Sequence, residues 1–354
     1  MASRGTFVLA DIGGYTSFLS GVAIEHGTEI TEDLLNTVLR CNRNRWTLAN
    51  VEGDCIFFYT EGDEPPGELL GHVRAMYRDF CVRTIDIAER AACPCGACTR
   101  TGELSLKFIV HAGQFDTQKI ANRTELVGPD VITAHRLLKN SASLDEYVLL
   151  TDAYAPSLDP PGLPASRGED EYEHCGTVRY SVVDLAPVRE EVRLANWRFV
   201  GPDEARISFE IGIDAAPDRV WRALTDHREL MQWEDLKESR ELPAPRSSAG
   251  NMHRCVFPDG STLVRLSVAM EPDRRRVTER WHFTRLLKDV LVTNSVVEND
   301  EGSSTVRCYS TYRRAIPILS WLAEPAMRLM AQREMRKSYE RLKEYCEGRS
   351  AQAP

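Results

Sequence analysis

Near the start of the chain, the stretch TFVLADIGGYTSFLS runs apolar from Thr6, stops on Asp11, turns through Gly13 and Gly14, and resumes an apolar pattern. A β-prone run ended by a carboxylate and two glycines predicts a strand over Thr6–Ala10, a tight turn and the start of a helix. Backbone N–H groups at such a helix start suit a phosphate. The stretch RWTLANVEGDCIFFY carries two β-rich runs around Glu52-Gly53-Asp54, which predicts a hairpin. If its strand neighbours the first, Asp11 and Asp54 meet. Two hard oxygen ligands beside a phosphate-binding turn can hold Mg²⁺ together with a substrate's phosphates. Taken singly, each aspartate is also what an ordinary turn uses.

The rest of the first half alternates between the two periods. Helical spacing is found over Glu29–Arg40, Leu69–Ala91 and Asp130–Lys139, and strand-like runs over Leu104–Ala112 and Tyr147–Leu150. This predicts an α+β arrangement with helices over a sheet. The segment APSLDPPGLPASRGEDEYEHCG reads as a long loop, its EDEYEH run as solvated charge. TVRYSVVDL is expected to be the last strand of the first domain, with a linker inside APVREEVRLANWRFVGPDE.

At 354 residues the chain is expected to hold two domains. We place them at 1–188 and 205–348, with a linker at 189–204 and a tail at 349–354. The second half begins with Ile207, Phe209, Ile211 and Ile213 alternating with small or polar residues, a half-buried strand. Pro217 follows in the first turn of a helix, where a missing N–H costs nothing. STLVRLSVAM and VTERWHFTRL are further strands, and a helix over Ala326–Cys346 closes the chain.

A net charge of −9 argues against a nucleic-acid partner, which calls for a basic footprint. AIPILSWLAEPAMRLMA is the nearest approach to a membrane span, but Glu324 and Pro325 interrupt it. Ten cysteines without a secretory signal point to reduced thiols and a cytoplasmic location. CPCGACTRTGE sets Cys93, Cys95 and Cys98 close together after the helix that carries Cys81. Such spacing can curl round a tetrahedral Zn²⁺, with Cys81, His72 or His111 as the fourth ligand. A reduced, solvent-facing turn and a redox switch remain open beside it.

The order of DIGGYTSF, VEGDCIFFY, FIVHAG and GPDVITAHRL resembles the catalytic domain of the class III nucleotidyl cyclases, over roughly the first half of the chain. VITAHRLLKNS and CPCGAC look like an atypical bacterial subgroup of such domains. The resemblance implies a ferredoxin-like-derived α/β sandwich that acts as a homodimer on a nucleoside triphosphate. It implies two Mg²⁺ or Mn²⁺ ions on Asp11, Asp54 and the Ile12 carbonyl. Gly13, Gly14, Tyr15 and Thr16 would then cradle the phosphates, and Arg136 would stabilise charge on the reacting phosphate. The base-reading positions fall on Asn50 and Glu125, and the family's ribose-orienting asparagine is Ile132 here. An active cyclase and a degenerate nucleotide-binding scaffold are both compatible with these departures.

In the second half, FEIGIDAAPDRVWRALTDHRELMQWED resembles the opening of the START-like helix-grip family, known also for polyketide cyclases. This implies a curved antiparallel sheet around a long final helix, enclosing a cavity for an apolar small molecule or lipid. Trp221, Trp233, Met327 and Met330 are the candidate lining, alongside an ordinary packing role for the methionines. No acid, base or nucleophile cluster stands out in this half, so binding is expected there rather than catalysis. An enzyme acting on an aromatic or polyketide substrate is the alternative. The combination implies a signalling protein.

Overall fold

In the computed structural model, which describes residues 2–20, 24–89, 100–121, 123–156, 163–242, 244, 248–282, 287–299, 302–314 and 319–348, Phe7, Val8, Leu9 and Ala10 are all buried. Successive strand residues face opposite sides, so a strand buried this way lies inside a sheet covered on both faces. That strand is β1 (Ser3–Gly13). The chain divides into two compact units, the main division falling between Val192 and Arg193.

In the first unit β1 leads to α1 (Tyr15–Ser20), α2 (Ile24–Asn42), the hairpin β2 (Thr47–Glu52) and β3 (Cys55–Glu61), and α3 (Pro66–Glu89). Then come β4 (Ser105–Ile120), β5 (Arg123–Val127), α4 (Pro129–Arg136), β6 (Tyr147–Thr151), β7 (Ala165–Tyr172), β8 (Gly176–Asp184) and α5 (Ala186–Ala195). The sheet order is β2-β3-β1-β4-β6-β8-β7, with β5 paired to β4. All pairings are antiparallel except β4 with β6.

On one face Phe7, Leu9, Phe57 and Ile109 pack with Val131, Ala134 and Leu137 from α4 and the short turn after it. Val8, Ala10, Phe58 and Val110 on the other face are equally buried, as are Leu34 and Val38 of α2 and Val73, Tyr77 and Phe80 of α3. The Trp46 ring bridges that side, 5.8 Å from Phe58 and 4.7 Å from His72 of α3.

Three expectations are corrected here. The acidic segment expected to be loop contains β7, an edge strand paired with β8 and mostly exposed. Charges on an exposed edge block pairing with other chains, and they also erase the apolar alternation that marks a strand. EDEYEH is thus partly strand, and Asp170 within it accepts from Tyr180 Oη at 2.8 Å. The expected linker begins with the helix α5. Asp184 Oδ1 accepts the Ala186 N–H at 2.8 Å, and Val188 and Val192, four apart, are buried.

The second unit is a seven-stranded antiparallel sheet in the order β10-β11-β12-β13-β14-β15-β9. Its elements are β9 (Ile207–Ile213), α6 (Pro217–Thr225), α7 (His227–Trp233), β10 (Glu238–Leu242), β11 (Met252–Val256), β12 (Thr262–Glu271), β13 (Arg276–His282), β14 (Leu287–Glu298), β15 (Ser304–Arg314) and α8 (Leu319–Cys346). Register shifts at Ser267/Ala269 and Lys288/Leu291 interrupt the ladder, the kind of irregularity that bends a sheet. The third correction concerns α8, which starts before the expected Ala326 and carries Pro325 inside it. A proline there forgoes one backbone hydrogen bond, and the helix continues through it.

Tyr339 and Leu342 of α8 sit in one cluster with Phe209, Val220 and Trp233. The Tyr339 ring meets Phe209 edge-on at 5.1 Å, and its hydroxyl donates to Asn294 Oδ1 at 2.6 Å. Both residues are buried. Tyr339→Phe therefore leaves a buried amide short of a partner and is expected to destabilise the protein by about 1–3 kcal/mol. Urea unfolding checks this, and an unchanged midpoint would show that the bond contributes nothing.

Candidate functional site

Antiparallel pairing sets the site residue by residue. Asp11 at the end of β1 stands opposite Cys55 of β3 on one side and Lys107 of β4 on the other. The β2–β3 hairpin turns through Gly53-Asp54, since Glu52 pairs with Cys55. Gly53 has φ +63°, which a two-residue hairpin accepts at its first central position. The turn is tied down from β1, because the Ile12 N–H donates to the Asp54 carbonyl at 3.1 Å. Gly14, at φ +82°, turns the chain into α1 immediately after.

The two aspartates thus come together, and Asp54 registers it electrostatically. Burial first, then the neighbouring Asp11 carboxylate, raise its pKa above the usual aspartate range, while Lys107 pulls the other way. Lys107 Nζ lies 3.2 Å from Asp11 Oδ2 and donates to the Leu138 carbonyl at 3.1 Å. Nothing in the motif pattern singled out Lys107. Its one sequence signal is a cation near the start of an otherwise apolar strand, SLKFIVHAG.

The helix α4 flanks this corner. His135 packs edge-on against Phe57 at 4.9 Å and stands 3.8 Å from Glu52. Arg136 is exposed and has no ion-pair partner among the described residues. Ile132, one turn earlier, is 54% exposed, so its apolar side chain stands outside the core formed by the described residues. Asn50 is half-buried, and its Nδ2 donates to Glu52 Oε1 at 3.1 Å. Glu125 is exposed on β5, opposite Gln118. Tyr15 is half-buried and Thr16 exposed on α1, a helix of only six residues.

Cys93, Cys95 and Cys98 lie outside the described residues. Cys81 is buried, and burial pushes its thiol up to about 12, far from a ready thiolate. His111 is engaged elsewhere: its Nδ1 shares a hydrogen bond with Thr151 Oγ1 at 2.8 Å, and its Nε2 is 3.6 Å from Asp130. Burial holds His72 and His111 below the usual histidine range. Among the described residues, no group of three or more His, Cys, Asp or Glu is arranged to hold a metal ion.

In the second unit Trp233 is buried in the core and donates Nε1–H to the Ala223 carbonyl at 2.9 Å, while Trp221 packs on the core's margin. Met330 is 68% exposed, so the expectation that it lines an interior cavity is corrected. α8 turns that position to solvent, and Met335 packs against the core instead. The Met327 side chain lies outside the described ones. One feature that the residues gave no signal of is a buried ion pair between Arg265 and Glu279 at 2.7 Å, with His253 lining the same recess.

Over residues 31–147 the chain matches a family described as a protein of unknown function (DUF2652). Over residues 204–347 it matches the family described as polyketide cyclase / dehydrase and lipid transport. An uncharacterized protein of Mycobacterium tuberculosis is 32% identical over 164 residues, which is 46% of this chain and 77% of that protein. The chain belongs to that protein's family. Similar solved structures include the adenylyl cyclase CyaB from P. aeruginosa, at 17% identity over 52% of this chain and 95% of that chain, with a TM-score of 0.39. They also include the guanylate cyclase domain of RhGC from Catenaria anguillulae in complex with GTP, at 13% identity over 52% and 97%, with a TM-score of 0.39.

A carboxyl whose pKa is raised by folding opposes the folded state once it ionises, so stability falls as pH rises through the Asp54 range. Asp54→Asn is expected to melt above the wild-type protein at neutral pH. The gap should close as pH falls into the usual carboxylate range. Mn²⁺ should raise the melting temperature of the wild type and leave Asp54→Asn unmoved; scanning calorimetry at several pH values, with and without the ion, checks both.

Proposed function

We propose that the first domain binds a nucleoside triphosphate as its divalent-metal complex and closes it to a cyclic nucleotide between two copies of the chain, and that the second domain holds an apolar small molecule. The observation that carries this reading is the pairing of Asp11 and Asp54 at one corner of the sheet, tied by the Ile12–Asp54 backbone bond, with the exposed Arg136 on the helix beside it.

The donor set fits Mg²⁺ or Mn²⁺. Two hard carboxylates share a partly buried corner, and the single charge of Lys107 leaves Asp54 above its usual pKa. Asp11 and Asp54 would hold the ion, which when bound neutralises triphosphate charge and favours ionisation of the attacking hydroxyl. The chain's own groups do the rest. The turn at Gly13-Gly14 offers backbone N–H groups to phosphate oxygens. Arg136 reaches the α-phosphate as its bond to pyrophosphate breaks and the sugar 3′-oxygen bonds to phosphorus. Lys107 pairs with Asp11 and helps hold its carboxylate in place. Ile132, exposed in one copy, is covered when a second copy closes the site. Asn50 and Glu125 face the base, an amide and a carboxylate that can each accept from an amino group.

A second reading, nucleotide binding without turnover, is favoured by two observations. Ile132 places an apolar group where the cyclase resemblance calls for an amide, and Lys107 already occupies Asp11. Incubating the full chain with Mn²⁺ and each of the four nucleoside triphosphates separates the two. Cyclic product is expected, reduced about 10²-fold or more by Asp11→Ala, Asp54→Ala or Arg136→Ala. Nucleotide binding that depends on Asp11, with no product at high protein concentration, would establish the second reading. Neither binding nor product would leave the first domain a scaffold.

A further inference from the structure

Strand pairing in the first unit sets a cation against one of the carboxylates proposed to hold a divalent ion. Lys107 of β4 stands directly opposite Asp11 of β1. Opposed residues share a face of the sheet, so the two side chains meet. Lys107 Nζ lies 3.2 Å from Asp11 Oδ2, and the lysine and aspartate side chains are only 21 and 16% exposed. Salt screens an exposed pair strongly and one withdrawn from water much less. The ammonium is held from a second side as well. It donates to the Leu138 carbonyl at 3.1 Å, in the short turn Leu137–Lys139 that follows α4. Carbonyls at the end of a helix carry partial negative charge and favour a cation.

Asp11, Asp54 and Lys107 therefore act together on anything that enters the corner. With both carboxylates ionised, the three groups sum to a single negative charge. The two carboxylates alone would balance one divalent ion. With Lys107 beside them the same ion leaves an excess of positive charge, and the ammonium repels it at short range. A triphosphate reverses the balance, because its negative charge exceeds that of the ion it carries. Lys107 attracts such a complex and repels the bare ion.

We propose that Lys107 is a specificity-determining residue: by competing at Asp11 it makes the corner take a divalent ion already carried by a triphosphate and reject the bare ion. The proposal rests on the reading of Asp11 and Asp54 as the metal-holding pair and adds the condition under which they accept the ion. Asp11 Oδ2 is shared with Lys107, so an ion that uses this carboxylate meets a competing cation. Lys107 has three N–H donors, and its contacts with Asp11 and Leu138 use two. A phosphate oxygen can take the third in a charge-assisted bond, which a bare ion has no means to offer. Rejection of the wrong species thus comes from a repulsive element built beside the attractive one.

Binding of Mn²⁺ alone to the full chain is followed by electron paramagnetic resonance, which reports the free ion. Lys107→Gln removes the charge and keeps an N–H for the Leu138 carbonyl; Lys107→Met removes both, and circular dichroism confirms the folding of each. Both variants are expected to bind bare Mn²⁺ about tenfold more tightly than the wild type. Adding Asp11→Asn to Lys107→Gln should abolish the gain, which places it at this corner. Water-proton relaxation then follows Mn²⁺ together with inorganic triphosphate. The wild type should bind that complex about tenfold more tightly than the bare ion, and Lys107→Gln should lose the preference. Equal or weaker binding of bare Mn²⁺ by the variants, or a gain that survives Asp11→Asn, would overturn the proposal. The metal-holding reading would still stand if Asp11→Asn alone lowered binding. Binding by none of the folded proteins, with or without triphosphate, would overturn the proposal and that reading together.

Discussion

The candidate nucleotide corner depends on the register of one strand. β1 is held between β3 and β4 with Asp11 opposite Cys55 and Lys107. A slip of one residue would send Asp11 to the other face and put Ala10 in its place. Apolar burial on both faces of β1 resists that slip. Phe7 meets Phe57 and Phe115 edge-on at 6.0 and 5.8 Å, contacts that only one register permits. The position of a carboxylate is thus fixed by side chains that take no part in its chemistry.

Both units carry a local conflict with good packing. In the first, two carboxylates share a partly buried corner with one ammonium, and Asp54 resists ionisation as a result. In the second, a buried ion pair and a buried imidazole nitrogen without a hydrogen-bond partner among the described residues lie on neighbouring strands of the sheet. Sequences that fold well avoid such conflicts elsewhere, because an unpaired buried group has no compensation.

Much of the architecture is legible in the residues. The strand over Thr6–Ala10, the Gly53-Asp54 hairpin, the proline-started helix at Pro217 and the alternating strand from Ile207 all appear where periodicity and turn chemistry put them. The failures share a cause. β7 is held by backbone pairing at an edge, so its side chains carry no burial pattern. The helix α5 buries only two valines and is otherwise held by polar contacts such as Glu191 with Arg74 and Arg78, too little apolar signal to outweigh the proline and charges around it. Pro325 suggests a boundary, yet the helix runs through it.

The sites divide along the same line. By itself the sequence determined the α+β character of both halves and the turns that place Asp11 and Asp54, because glycines and local periodicity act over a few residues. Only the tertiary structure decided that Lys107 is the counter-charge of Asp11, that Ile132 and Met330 face solvent, and that His253, Arg265 and Glu279 form one cluster. Those relations join residues on different strands or depend on which way a helix is turned. Neither is written in local spacing, since each follows from strand register and from which surfaces the packed chain leaves uncovered.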